Sequence, residues 1–318
     1  MITKPTVLVL GAGASNPYGY PLGGELLGDV ISMLGNGEYI NIFLQCGIER
    51  EIIKDFNTAL LLSQPPSIDT FLEHRPEFTW AGKLAIAMSL IKCEVERKLN
   101  DSERRRDGIY HFLWTQLIAP WEEFRNNKLT IITFNYDRSL EHFIFTVIKN
   151  LYGKSDDSVA ELMTHFPIIH VHGSLGPLPW QQTGGRPYLP IQINIANETI
   201  KQLEAASEKI LIVSEEEKST NEFSRAFEYL KSARRIYFLG FGYHTTNLKK
   251  LKLNKLNVYD NYAKGFSDKE NSKLRTFRGS ALGLKTSQRT VIERGWGIGL
   301  PNDKLNDLEF LKEYAELD

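Results

Sequence analysis

The sequence predicts an α/β protein, a doubly wound Rossmann-like parallel sheet with a helical insertion. Four short, nearly continuous apolar runs end in turns or polar clusters: "PTVLVLG" (5–11), "KLTIITFN" (128–135), "FPIIHVHG" (166–173) and "RRIYFLGFG" (234–242). Such runs mark strands buried on both faces. Amphipathic helical patterns fall between them, as a parallel sheet requires. With 318 residues, 42% of them hydrophobic and 24% charged, the chain can bury one substantial core.

The run 5–11 is the first strand, and the helix "GGELLGDVISML" follows Pro21. Residues 36–127 contain no good strand and several helical stretches, including 78–99 and 108–126. They are taken as a helical insertion within a single domain spanning 1–318, and 128–318 completes the α/β core. The second strand leads into "RSLEHFIFTVIKNLY", beginning after Asp137. Beyond the third strand lie weaker candidates, "PIQINIA" (190–196), "KILIVS" (209–214) and "NVYD" (257–260). The helix "STNEFSRAFEYLKSA" takes Ser219 or Thr220 as N-cap and sets Phe223, Phe227 and Leu230 on one face. The fourth strand follows, and "DKLNDLEFLKEYAEL" is a C-terminal helix.

A formal net charge of −1 gives no reason to expect nucleic acid or an anionic membrane as partner. The basic runs "RRR" (104–106) and "KKLKLNK" (249–255) are taken as solvated faces. The two cysteines, Cys46 and Cys93, have no CxxC spacing, so a zinc site built from cysteine pairs is excluded and no disulfide framework is indicated. "MITKPTVLVLGAG" is a first strand, not a signal peptide, and "WAGKLAIAMSLIKC" is too short and too interrupted by lysine to span a bilayer. The expected location is cytoplasmic.

Four stretches bear on chemistry. After the first strand come Gly11 and Gly13, with Asn16 and Pro17 where a dehydrogenase-type loop has its third glycine. The amides of Ala12–Ser15 suit a pyrophosphate at a helix N-terminus, although the same residues also make an unliganded turn. "TFNYD" sets Asn135 and Asp137 at the carboxyl end of a central strand, where open α/β sheets bind ligands. Asn135 can orient a ribose hydroxyl or a water, and Asp137 equally suits a helix cap. "IIHVHGSLG" sets His170 and His172 two apart, on one face if the strand alternates. No third ligand has matching spacing, so no metal is expected. A histidine before a glycine is open to a ligand and suits a general base, but it also serves structurally. In "FLGFGYHTTN", Gly240 and Gly242 follow a strand and Thr245, Thr246 and Asn247 open a helix, as a second nucleotide cradle or a capped turn.

Together these stretches resemble the sirtuin family in order and local spacing. "GAGASNPYGYP" (11–21) is similar to its first loop, which makes Gly11, Ala12, Gly13, Ala14, Ser15 and Pro21 cofactor-binding positions. "TFNYD" resembles its threonine-glutamine-asparagine-isoleucine-aspartate motif at Thr133, Asn135 and Asp137. His172–Gly173 resembles the catalytic histidine-glycine pair. "LGFG" (239–242) resembles the strand–loop on the adenosine side, adding Gly240, Gly242, Tyr243 and Asn247. The four zinc cysteines of deacylating sirtuins are absent, and Leu22, Gly23 and Gly24 replace their aspartate-phenylalanine-arginine. Residues 36–127 and 176–232 carry no resemblance.

The pattern is similar to the zinc-lacking bacterial branch whose members hydrolyse NAD+ in antiphage defence. That resemblance implies an NAD+ glycohydrolase giving nicotinamide and ADP-ribose, with NAD+ as substrate, no metal, and Asn135 and His172 as the catalytic pair. It also implies control through a homo-oligomer, or through a second defence protein such as a ring ATPase or an Argonaute-like protein docked on 36–127. The chemistry fits: neutral nicotinamide leaves through an oxocarbenium-like state, Asn135 orients ribose and water through its amide, and neutral His172 accepts a proton. Asp137 holds the carboxamide side or accommodates the charge. The alternatives are a non-enzymatic NAD+-sensing module and a protein deacylase or ADP-ribosyltransferase.

Overall fold

The computed structural model describes residues 1–101, 108–190, 197–212, 216–256 and 275–317. The run 104–106, residues 191–196, the stretch 257–260 and the side chains of Ser219 and Thr220 lie outside the described residues.

Five parallel strands form one sheet in the order β3-β2-β1-β4-β5. They are β1 (Thr6–Leu10), β2 (Leu129–Thr133), β3 (Ile168–His170), β4 (Arg235–Leu239) and β5 (Thr276–Gly279). Thr6 of β1 is in register with Leu129 on one side and Arg235 on the other. All residues of β1, β2 and β4 are buried, because helices cover both faces. This is the Rossmann-like α/β fold that the apolar runs predict. Strand β5 is a correction: "TFRG" has only Phe277 and Gly279 buried, as an edge strand allows, so it lacks the continuous run. In "KILIVS" no strand forms over the described residues; Ile210 makes one isolated bridge to Gly173.

Helices α1 (Ala12–Ser15) and α2 (Gly23–Leu34) follow β1. The described part of 36–127 holds α3 (Gly37–Gln45), α4 (Arg50–Ser63), α5 (Ile68–His74), α6 (Thr79–Ile91), α7 (Glu96–Asn100) and α8 (Ile109–Leu117). After β2 come α9 (Ser139–Tyr152) and α10 (Asp156–Met163), and after β3 come α11 (Asn197–Glu208) and α12 (Glu216–Ser232). Helix α13 (Thr245–Lys250) follows β4; α14 (Thr286–Trp296) and α15 (Asp307–Tyr314) follow β5.

On one face of the sheet, Leu8, Leu10, Ile131 and Leu239 share a continuous core with Phe43, Phe56, Leu84 and Leu113 of the inserted helices. Helix α6 is buried on every side from Ala81 to Ile91, as befits a helix apolar all round. The insertion therefore packs as part of the sheet's own core. On the other face, Val7, Val9 and Phe238 pack with Phe223, Ala226 and Leu230 of α12. Among the described residues no helix is long and apolar enough to cross a membrane.

Candidate functional site

Chain order reverses between β1 and β4, and the loops leaving their carboxyl ends touch. The Gly13 N–H donates to the Gly240 carbonyl at 3.0 Å. A Cβ on Gly13 would lie 2.6 Å from Gly240 Cα, and one on Gly240 would lie 2.1 Å from Ala14 N. Gly240 also has φ +56. Both glycines thus serve a backbone approach that no side chain permits. Gly240→Ala is expected to cost at least ~1–3 kcal/mol, read from urea unfolding midpoints.

This packing changes the role expected of the first loop. The Gly13 amide is spent on Gly240, and the Ala14 amide donates to the Gly11 carbonyl at 3.0 Å. Helix α1 stops after one turn, where Asn16 Nδ2 bonds the Tyr20 carbonyl at 3.0 Å and Pro17 opens a 3₁₀ turn. Two of the amides expected to hold pyrophosphate are therefore occupied within the protein.

A cleft of about 660 Å³ opens at this switch point, where open α/β sheets bind ligands. Of the sequence-predicted residues, Gly11, Ala12, Gly13, Ala14, Asn135, His172, Gly240, Gly242 and Asn247 line it. Ser15, Pro21, Asp137 and Tyr243 do not. The Tyr243 hydroxyl instead donates to the Ser280 carbonyl at 2.8 Å beneath the second loop. Ser15 is buried behind Asn135.

Asn135 is oriented without ambiguity. Its Nδ2 donates to the Gly11 carbonyl at 2.9 Å and to Ser15 Oγ at 3.0 Å. Both amide hydrogens are used, which leaves Oδ1 as the group that can serve a ligand, and only as an acceptor. Behind it, the Tyr110 hydroxyl of α8 bonds Ser139 Oγ at 2.6 Å and Ser15 Oγ at 3.3 Å. Asp137 sits in this network. It accepts from the Ser139 N–H at 3.1 Å and from the Ser139 and Ser15 hydroxyls, while burial raises its pKa against those bonds. Asp137 lies one residue before the N-cap position of α9, Arg138, which makes no side-chain cap, and it accepts the helix's first amide instead.

The two histidines part company. Strand β3 ends at His170, and the turn through Gly173, φ +72, breaks the alternation that would put both on one face. His170 Nδ1 meets the Asn135 carbonyl at 2.8 Å and Nε2 meets Glu141 Oε1 at 2.9 Å. Burial opposes its charge, but Glu141 and that carbonyl outweigh burial and raise its pKa. His172 packs edge-on to Phe134 and Phe223, with ring centroids 5.5 and 5.4 Å away. The Leu211 N–H, donating at 2.9 Å, holds its carbonyl.

Burial pushes the His172 pKa down to about 4, the Lys250 cation adds to this, and a hydrogen bond with Asn247 opposes it. At neutral pH His172 is therefore a neutral base. Between the ordinary value of 6.5 and about 4 the unfolded chain binds the proton and the folded one does not. The stability is whole above the unfolded value and falls as pH drops towards the folded one. His172→Gln lacks this component, so its urea midpoint is expected to gain on wild type as pH falls through that window.

The remaining walls were not legible beforehand. Asp69, Thr70 and Glu73 of α5 close one side, with Tyr136 beside Asn135. Ser280, Asn306 and Asp307 close the other. Asp307 accepts from the Gly240 N–H at 2.8 Å and from Ser280 Oγ at 2.5 Å. One signal was available there, since Asn306 and Glu309 form a capping box that places Asp307 in a helix's first turn. Among the described residues no three His, Cys, Asp or Glu side chains are grouped to hold a metal ion. No protein-family model matches the chain, and no curated protein matches it.

Proposed function

We propose that the cleft binds NAD+ and hydrolyses its nicotinamide–ribose bond, giving nicotinamide and ADP-ribose. One observation carries the reading: an acceptor, Asn135 Oδ1, and a base held neutral, His172, belong to a single cleft at the sheet's switch point. As the C1′–N bond breaks, its electron pair leaves with nicotinamide, whose ring nitrogen becomes neutral. Positive charge grows on the sugar. Water adds at C1′ and gives its proton to His172, which releases it to solvent. Asn135 Oδ1 fixes a ribose hydroxyl or that water by accepting its hydrogen. With Nδ2 tethered to Gly11 and Ser15, the oxygen is the part of the Asn135 amide available for this role.

The same tether also suits a module that holds the nucleotide without cleaving it. Purified full-length protein incubated with NAD+, alone and with the products of neighbouring genes, separates the readings by chromatography of released nicotinamide. Bound NAD+ with no release supports the sensor, and release that survives both Asn135→Ala and His172→Ala ends the hydrolase assignment.

Unregulated cleavage would exhaust a cell's NAD+, so the reading carries a need for control and suits an antiphage effector. Self-association, or a ring ATPase or Argonaute-like partner, is proposed to act through 36–127. Since α5 of that insertion walls the cleft, a partner bound there has a short route to the site.

A further inference from the structure

We infer that Asp69, supplied by the helical insertion, is a catalytic residue that holds the positive charge developing on the sugar as nicotinamide leaves. The inference rests on the hydrolase reading above and names a group that reading lacks. The chemistry needs fixed negative charge beside C1′, and the motif's own acid, Asp137, is turned away into the Ser15–Ser139 network.

Asp69 stands in the first turn of α5, begun by the Ser67 hydroxyl accepting the Thr70 N–H at 3.2 Å. The Tyr136 hydroxyl donates to Asp69 Oδ1 at 2.7 Å. The carboxylate is thus fastened to the residue next to Asn135, and both line the cleft. The other lining acids are placed less well for this task. Asp307 is committed to Gly240 and Ser280 on the far side, and Glu73 lies a turn further along α5 with no tie to the β2 loop. None of the described lining residues is a lysine or arginine that would neutralise the carboxylate. Asp69 forms no bond to the sugar. Burial raises the Asp69 pKa and the Tyr136 hydrogen bond opposes this. In its carboxylate form it faces the growing charge while C1′–N breaks, and water, losing its proton to His172, completes the substitution.

A fixed charge aimed at charge that develops in the transition state is worth on the order of 100-fold in rate. Asp69→Asn keeps an oxygen for Tyr136 and removes only the charge, so nicotinamide release is expected to fall about 100-fold in single turnover. The deciding measurement is calorimetric binding of two probes to wild type and Asp69→Asn, with thermal unfolding as the check on folding. Carbocyclic NAD+ keeps the pyridinium cation but resists cleavage, and ADP-ribose lacks the cation. The variant is expected to bind the first about 10-fold more weakly and the second within about 2-fold of wild type. Equal losses for both probes, or none for either, overturn the role of Asp69 while leaving the hydrolase reading standing. Wild-type protein that binds neither probe overturns the reading, and Asp69's role with it.

Discussion

Replacing Asn135 or His172 by alanine is expected to slow nicotinamide release at least ~100-fold, the usual contribution of a positioned acid–base group. The two losses should not multiply. In the proposed reaction Asn135 places the hydroxyl or water from which His172 draws a proton, so removing either would disable the same step, and the double variant should resemble the worse single one. The imidazole fills space between Phe134 and Phe223, so His172→Ala also opens a gap. His172→Gln keeps more of that volume and should show nearly the same rate loss with a smaller fall in unfolding midpoint. The pH profile supplies an independent signature. With the His172 pKa near 4, kcat/KM should hold through pH 6.5 and fall only as pH approaches 4. A profile that falls at the ordinary histidine value would place the base elsewhere.

How much of this was legible beforehand follows from what each element buries. Strands β1, β2 and β4 are covered on both faces, so their sequences are unbroken apolar runs that announce themselves. Strand β5 is at an edge, and its Arg278 reaches out to the Tyr314 carbonyl at 3.1 Å, so it has the polarity of a loop. At the site, Asn135 and His172 were readable because strand ends are marked by glycine and polar residues. Asp137 shows the limit of such reading. A motif gives the letter but not its direction, and Ser139, two residues on, draws the carboxylate inward. Asp69 left no local trace, because it meets Tyr136 across 67 positions of sequence and only the packing of α5 brings them together.

The largest expected loss of stability lies behind the site, at Arg138. Its side chain and that of Glu94 are both 0% exposed. The guanidinium reaches Glu94 through Nε and Nη2 at 2.8–3.0 Å and donates to the carbonyls of Gly176, Pro177, Arg186 and Pro187. Arg186 reaches the same carboxylate at 2.6 Å. Burial raises the Glu94 pKa and the two guanidiniums oppose it, so the carboxylate depends on them. Removing one partner of such a buried pair leaves a charge with neither water nor counterion, at a typical cost of ~3–5 kcal/mol. Arg138→Met and Glu94→Gln are each expected to fall near that range by urea unfolding. The double variant should cost less than the sum, since it leaves no orphaned Glu94 charge, though Arg186 and the four carbonyls still lose a partner. Arg138→Lys should not rescue, because an ammonium cannot span a carboxylate and four carbonyls in one plane. The same substitution tests the link to function. Arg138 joins the insertion, the start of α9 and the 176–187 loop directly after the Asn135–Asp137 turn. Arg138→Met, assayed well below its unfolding midpoint, should therefore also lower the rate of nicotinamide release. An unchanged rate with reduced stability would confine Arg138 to holding the fold.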